Sequence, residues 1–297
     1  LIFMLYALMK TIGGQASPLI DLRGKMVQGG VVIGQTAPGT KLAIDETSIR
    51  VSKDGEFLIG FGRDAPKLAV LRAVFPDGRM QLRILEVRHR LYKIQRIDGL
   101  PDRKVRPSKR DMKRIEDEDA LIKATRVRDT DRAFFRSGFV WPVKGRLSGV
   151  YGSQRILNGK SRRPHLGVDI AMPTGTLIFA TADGIIRIAH SGMFFTGKTV
   201  AIDHGHGLVS IYAHMSEVSV DSGQRVSKGA PIGKVGATGR VTGSHLHWGM
   251  SLFKKRLDPV LFVGPMSAAD RVHANRSHSP PSGCRPPWPP RFRAEPV

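Results

Sequence analysis

Cysteine is almost missing from this chain of 297 residues, and the single one, Cys284, lies close to the C-terminus. An internal disulfide is therefore excluded, and so is a metal site built from several cysteines. Long apolar runs are missing too, because none reaches the roughly 18 to 20 residues that a membrane-spanning helix needs. The sequence thus predicts no transmembrane span beyond a possible N-terminal signal segment.

Acidic residues are scarce beside basic ones, with 25 Asp and Glu against 47 Lys and Arg, so the formal charge is +22. A chain this basic is attracted to polyanions such as nucleic acid, anionic lipid or an acidic wall polymer. The basic residues are spread along the chain, and no nucleic-acid-binding motif is apparent. We therefore expect the charge to reflect a solvated surface or attraction to an anionic envelope, and we expect no nucleic-acid partner.

The N-terminal stretch LIFMLYALM is followed by Lys10 and by small residues at Gly14 and Ala16. A short apolar core with a small-x-small end is typical of a secretory signal peptide. Residues 1–18 are therefore interpreted as a signal peptide or its remnant. A buried first strand is the alternative.

Short apolar segments with period-2 alternation, such as Phe57, Ile59 and Phe61, fill residues 19–100. This pattern predicts half-buried strands, and turn sequences such as Lys53-Asp54-Gly55 and Pro76-Asp77-Gly78 separate them. Roughly six or seven strands at this spacing predict a small antiparallel β-sandwich-like module. We call residues 19–100 the front module.

A charged, Pro-containing linker is predicted over residues 101–138, with a helix from Asp111 to Arg126 that Ser108 and Asp111 cap. Its charge pattern favours a solvated connector, with a lid over an active site as the alternative.

Residues 139–264 form a second β-rich unit that is dense in glycine, here called the C-terminal unit. Residues 265–297 are rich in Pro and Arg and predict a disordered tail, so His273 and His278 are poor candidates for ligands. The predicted fold is mainly β.

Seven of the ten histidines lie between residues 165 and 247. His165 and Asp169 are both good zinc ligands. In a flat strand their Cα atoms would stand about 13 Å apart, which is too far for one ion. We therefore expect the chain to bend between them at Gly167.

His245 and His247 form a second pair, and at this spacing on a strand both imidazoles face the same way. One can bind a metal while the other addresses a water molecule, or both can bind, and the spacing leaves both options open. The rival pair at His204 and His206 is flanked by glycines, which predicts a hairpin turn and a poor platform for a metal. His214 ends a strand pattern and can point into the same cleft.

Six motifs follow one another in the C-terminal unit: PHLGVDI (164–170), ADG (182–184), DHGHG (203–207), YAHMS (212–216), GKVGATG (233–239) and GSHLH (243–247). Together with YGSQR at 151–155, they closely resemble the lysostaphin-type, or LytM-like, murein metallopeptidases. The resemblance covers about residues 140–262.

The resemblance implies a catalytic antiparallel β-sheet domain in the C-terminal unit, with a zinc ion held by His165, Asp169 and His247. It implies that His245 is the general base and that His214 orients water or stabilises an oxyanion. The implied activity is endopeptidase cleavage of the stem peptide or cross-link of peptidoglycan, in cell-wall remodelling by a protein exported to the periplasm or cell envelope. The alternative is a non-catalytic LytM-like wall-binding protein that activates other hydrolases, but such relatives lack the zinc ligands.

If the charge of +22 concentrates the protein at the wall, binding should weaken steeply with salt, because the Debye length falls from about 8 Å at physiological ionic strength to about 3 Å at 1 M. The measurement is cosedimentation of an inactive His245→Ala variant with peptidoglycan. Hydrolysis of a small soluble peptide fragment by the unmutated protein serves as the control and should change little. Wall binding that is indifferent to salt would contradict the prediction.

Overall fold

The computed structural model describes residues 19–266. The predicted signal peptide and nearly all of the predicted tail, with His273, His278 and Cys284, lie outside the described residues. None of the helices within residues 19–266 is long and apolar enough to cross a membrane.

Two small antiparallel sheets pack around one apolar core at the start of the described chain. The strands are β1 (Ile20–Gly24), β2 (Val31–Thr36), β3 (Lys41–Ile44), β4 (Thr47–Ile49), β5 (Glu56–Gly60), β6 (Leu68–Val74) and β7 (Met80–Glu86). One sheet has the order β1-β2-β5 and the other β4-β3-β6-β7. Phe57, Ile59 and Phe61 are buried in this core together with Leu42 and Leu71 of the second sheet, as predicted. The prediction of a half-buried strand is wrong for β5, because Leu58 is also buried, in the core of the C-terminal unit.

The rest of the described chain is also dominated by strands. They are β8 (Ile94–Ile97), β9 (Arg146–Gly149), β10 (Gln154–Leu157), β11 (Lys160–Ser161), β12 (Val168–Ala171), β13 (Leu177–Phe179), β14 (Gly184–Met193), β15 (Gly197–Asp203), β16 (Leu208–Met215), β17 (Glu217–Val218), β18 (Arg225–Val226), β19 (Pro231–Lys234), β20 (His245–Leu252) and β21 (Lys255–Leu257). The predicted mainly β fold is confirmed.

The largest sheet has the order β18-β14-β15-β16-β20-β12-β9, with β21 paired to β20. A smaller sheet, β13-β19-β17, packs beside it. Residues of both sheets share one apolar core, which includes Tyr212 and Trp248 of the large sheet and Ile178 and Ile232 of the small one. A third sheet, β11-β10-β8, joins the two halves of the chain, because β8 of the front module pairs in parallel with β10.

The helices are α1 (Asp102–Val105), α2 (Lys109–Arg126) and α3 (Val260–Val263), and a 3-10 turn spans Phe134–Ser137. Ser108 and Asp111 form the predicted capping box at the start of α2. Most residues of α2 are exposed, but the helix also packs on the large sheet. Its Ile122 is buried against Ile188, Val209 and Ile211 on one face of the large sheet. Arg114 also donates to the carbonyl of Gly192, and Glu118 accepts from the backbone of Phe194.

The hairpin turn between β15 and β16 contains His204 and His206, as predicted, but both side chains are buried. His204 Nδ1 donates to the carbonyl of Asp183 at 2.6 Å, and the hydroxyl of Ser210 donates to Nε2 at 2.8 Å. Burial lowers the pKa of His204 to about 4, with only partial compensation from the hydrogen bond to Asp183. His204 is therefore a neutral structural residue of this turn.

Because the folded pKa of His204 is below its ordinary value of 6.5, the unfolded chain binds a proton that the folded chain does not between pH 6.5 and about 4. The free energy of unfolding should therefore fall as the pH falls through this window, by up to about 1.4 kcal/mol per pH unit. A His204→Gln variant should show a shallower slope in metal-free urea denaturation. Equal slopes in the two proteins would show that this histidine does not carry the effect.

Candidate metal centre and active site

Asp169 and His247 lie directly opposite each other in the antiparallel pairing of β12 with β20. Side chains at opposed positions project from the same face of a sheet, so the carboxylate and the imidazole meet without any loop. Alternation along β20 places His245 on this same face. The prediction that His245 and His247 face the same way is confirmed by their positions on one strand.

His165 reaches the same point from the segment before β12, where the chain bends at Gly167 as predicted. A Cβ atom at Gly167 would lie 2.6 Å from the carbonyl oxygen of Trp248 and 2.8 Å from a ring carbon of His247. No other residue fits there without displacing its neighbours. Gly167 therefore both allows the bend and makes room for the His247 ring.

Three donor atoms converge at this point: His165 Nε2, Asp169 Oδ1 and His247 Nδ1. Asp169 Oδ1 lies 3.0 Å from His165 Nε2 and 2.8 Å from His247 Nδ1, and the two nitrogens are 3.0 Å apart. Within residues 19–266 this is the group of histidine and acidic side chains that can share one metal ion. Imidazole nitrogen with carboxylate oxygen is a donor set that zinc accepts.

The surroundings of the three side chains favour the forms that bind metal. Burial lowers the pKa of His165, and it lowers that of His247 to about 4, so both imidazoles are neutral at pH 7. Burial alone would raise the pKa of the Asp169 carboxyl, but its contacts with the two histidine rings outweigh burial and hold the pKa well below its usual value. Neutral imidazole and ionised carboxylate are the states in which these groups ligate a metal.

A hydrogen bond to the backbone also orients the ring of His165. Its Nδ1 donates to the carbonyl oxygen of Val150 at 3.2 Å, which leaves the lone pair of Nε2 facing Asp169. A backbone carbonyl in this position is a common device for fixing the tautomer and ring orientation of a ligating histidine.

His245 and His214 lie next to the three donor atoms, as the resemblance implies. His245 Nε2 is 3.8 Å from Asp169 Oδ1, and the rings of His214 and His245 have their centroids 4.9 Å apart. His245 Nδ1 donates to the carbonyl of Gly243 at 2.9 Å, and His214 Nδ1 donates to that of Thr238 at 2.8 Å. Both rings thus keep Nε2 for the cleft.

His214 occupies an unusual backbone position. The pairing of β15 with β16 jumps from Val200↔Tyr212 to Lys198↔Met215, so β16 carries one extra residue, and His214 has a φ of 64°. Such a bulge turns a side chain away from the regular alternation of the strand. Burial and the neighbouring His245 and His247 lower the pKa of His214 to about 3.

The other histidines of the described chain do not join this cluster. His206 packs edge-on against Phe135 with the ring centroids 5.2 Å apart, and His190 Nδ1 accepts from the backbone of Gly192. His89 is exposed.

Arg155 is a site residue that the sequence did not reveal. Its Nη2 donates to Asp169 Oδ2 at 2.5 Å. Arg155 lies in the YGSQR segment, but one arginine fourteen residues before an aspartate carries no spacing signal of its own. Only the folded chain brings the two together.

The model of Peptidase family M23 matches residues 163–259, which include all five cleft residues. A crystal structure from Pseudomonas aeruginosa that is assigned to peptidase M23 has a TM-score of 0.64 and 31% sequence identity, and the match covers 82% of this chain and 96% of that one. The chain belongs to peptidase family M23. M23 peptidases are metallopeptidases, which agrees with the donor set described above.

Two curated relatives share this M23 region. Peptidoglycan DD-endopeptidase ShyA of Vibrio cholerae is 40% identical over 120 residues, which are 39% of this chain and 27% of that protein. DD-carboxypeptidase/endopeptidase Mpg of Neisseria meningitidis is 41% identical over 134 residues, 44% of this chain and 30% of that protein. The chain therefore spans less than a third of the length of these relatives.

A Gly167→Ala substitution should weaken Zn²⁺ binding, because the added Cβ must displace the carbonyl of Trp248 or the His247 ring. We expect a loss of roughly 10–100-fold, the range typical of changes to groups that orient metal ligands. The measurement is competition for Zn²⁺ with a chromophoric chelator. Gly62→Ala is the matched control, since a Cβ there meets nothing within 4 Å. Equal affinities of the two variants would contradict the prediction.

Proposed function

We propose that this M23 chain is a zinc-dependent endopeptidase that hydrolyses amide bonds in the stem peptide or cross-link of bacterial peptidoglycan. The observation that carries the proposal is the convergence of His165 Nε2, Asp169 Oδ1 and His247 Nδ1 within hydrogen-bonding distance of one another. The names of ShyA and Mpg support peptidoglycan as the substrate. A wall substrate also supports a location in the periplasm or cell envelope.

The chemistry of the donor set fits a catalytic rather than a structural zinc site. His165, Asp169 and His247 supply three protein ligands, whereas structural sites use four. When bound, zinc supplies a Lewis acid that polarises a carbonyl and lowers the pKa of a water molecule to roughly 7.

His245 is the proposed general base. Since its Nδ1 donates to Gly243, its Nε2 is free to accept a proton, and this atom lies within 3.8 Å of Asp169 Oδ1 at the edge of the metal site. The same atom then returns the proton to the leaving amine.

His214 is proposed to orient the attacking water rather than to stabilise an oxyanion. Its Nδ1 carries the proton that is donated to Thr238, so its Nε2 presents a lone pair, which accepts a hydrogen bond but cannot donate one. A pKa of about 3 keeps the ring neutral at any pH at which the protein would work.

The alternative, a non-catalytic wall-binding protein that activates other hydrolases, is less favoured. Such a protein has no need for metal ligands or a general base. In this chain the three proposed ligands are present and converge, and His245 and His214 lie beside them with their Nδ1 atoms fixed by backbone carbonyls.

Purified peptidoglycan digested with the full chain should release fragments that mass analysis identifies as products of amide cleavage, and a chelator should abolish their release. His247→Ala should lose both the metal and the activity, because it removes a ligand. His245→Ala should keep the metal and lose roughly 10²–10⁴-fold in turnover, the range of general-base catalysis.

The control for this experiment is His89→Ala, which removes an exposed histidine far along the chain from the cleft. It should digest peptidoglycan as the unmutated protein does. A chain that binds zinc at the cluster, yet releases no fragments, would favour the non-catalytic alternative. Full metal occupancy in His247→Ala would remove that residue from the proposed ligand set.

A further inference from the structure

The two carboxylate oxygens of Asp169 have different surroundings. Oδ1 faces the imidazole nitrogens of His165 and His247. Oδ2 faces away from them and accepts from Arg155 Nη2 at 2.5 Å. The backbone of Gly149 lies close to Oδ2, because a Cβ atom at Gly149 would be 2.3 Å from it. Oδ1 is thus available to a metal, while Oδ2 is hydrogen-bonded to Arg155.

Arg155 is itself held by the front module. It lies on β10, opposite Gln95 in the parallel pairing of β10 with β8. Arg155 Nε donates to Gln95 Oε1 at 3.3 Å, and Gln95 Nε2 donates to the carbonyl of Ser148 at 3.4 Å. Ser148 is on β9, the strand that pairs with β12 next to Asp169. Gln95 therefore connects the strand that carries Arg155 with the strand that flanks the carboxylate.

We propose that Arg155 is a positioning residue that reserves one oxygen of Asp169 for the metal, and that strand β8 of the front module supports it through Gln95. This inference rests on the proposed metal site. An unrestrained carboxylate can turn and offer both oxygens to an ion, which would fill the coordination position that a catalytic site keeps open. A planar guanidinium bound to Oδ2 prevents that rotation.

Two effects of Arg155 on metal affinity have opposite signs. Its positive charge repels a dication, so by charge alone its removal would tighten zinc binding. Its hydrogen bond fixes a ligand, and loss of such an outer partner typically weakens metal binding by 10–100-fold. The sign of the change in affinity therefore separates the positioning role from a purely electrostatic one.

The test compares zinc dissociation constants of full-length variants by competition with a chromophoric chelator. Arg155→Gln should weaken binding by roughly 10–100-fold. Arg155→Lys keeps the charge but not the fork, and should fall between Arg155→Gln and the unmutated protein. Gln95→Leu should shift the affinity in the same direction by less. The matched control is Arg162→Gln: Arg162 donates its backbone N–H to Arg155, but its side chain contacts Val105 instead of Asp169.

The visible spectrum of bound Co²⁺ provides a second measurement, which should not change if Arg155 only stabilises the fold. With Co²⁺ in place of Zn²⁺, the unmutated protein should show the strong visible absorption of four-coordinate cobalt. Arg155→Gln should show the weaker bands of a higher coordination number, because both oxygens of Asp169 become available. Thermal unfolding of the metal-free variants checks that they fold, and Arg155→Lys carries the test if Arg155→Gln does not.

Tighter or unchanged zinc binding in the folded Arg155 variants, with an unaltered cobalt spectrum, would overturn this inference while leaving the proposed function intact. An unmutated protein that binds no zinc would instead overturn the proposed function, and this inference with it. Weakened binding in Arg162→Gln equal to that in Arg155→Gln would show a general effect of the β10–β11 hairpin, and would also overturn it.

Discussion

The pairing of β12 with β20 is the constraint on which the rest of the centre depends. It sets Asp169 opposite His247. Because side chains alternate along a strand, a slip of one residue would turn either side chain to the other face of the sheet. The register is secured by burial, since the alternate positions of both strands are apolar and almost wholly inaccessible: Val168, Ile170, Leu246 and Trp248. Burial of these four apolar side chains on one face of the sheet therefore keeps Asp169 and His247 together on the other face.

Two irregular backbone segments bring further histidines to the pair of Asp169 and His247. The bend at Gly167 brings His165 to the pair, and the bulge in β16 turns His214 towards His245. A non-glycine residue at a φ of 64° is energetically unfavourable unless its surroundings hold it, and such positions cluster at functional sites. Here the hydrogen bond from His214 to Thr238 supplies part of that hold.

The front module is joined to this centre by more than a linker. Its last strand, β8, pairs with β10, and the side chain of Gln95 contacts that of Arg155, which in turn binds Asp169. The likeness to the Pseudomonas aeruginosa structure covers 82% of the chain and so extends well beyond the M23 match at residues 163–259. Structural comparisons among relatives should therefore include the front module as well as the C-terminal unit.

The sequence by itself determined the local features. Period-2 alternation predicted the strands around Phe57 and Ile59, glycine-flanked residues predicted the turn at His204, and ordered motifs predicted the family, because each depends on neighbours in the chain. Tertiary structure alone decided the packing of α2 on the large sheet through Ile122, the backbone bulge at His214 and the contact of Arg155 with Asp169. Ile122 meets β14 and β16, and Arg155 meets Asp169, only when the chain is folded. The bulge is an extra residue in a hairpin, which the alternation of apolar and polar residues does not predict.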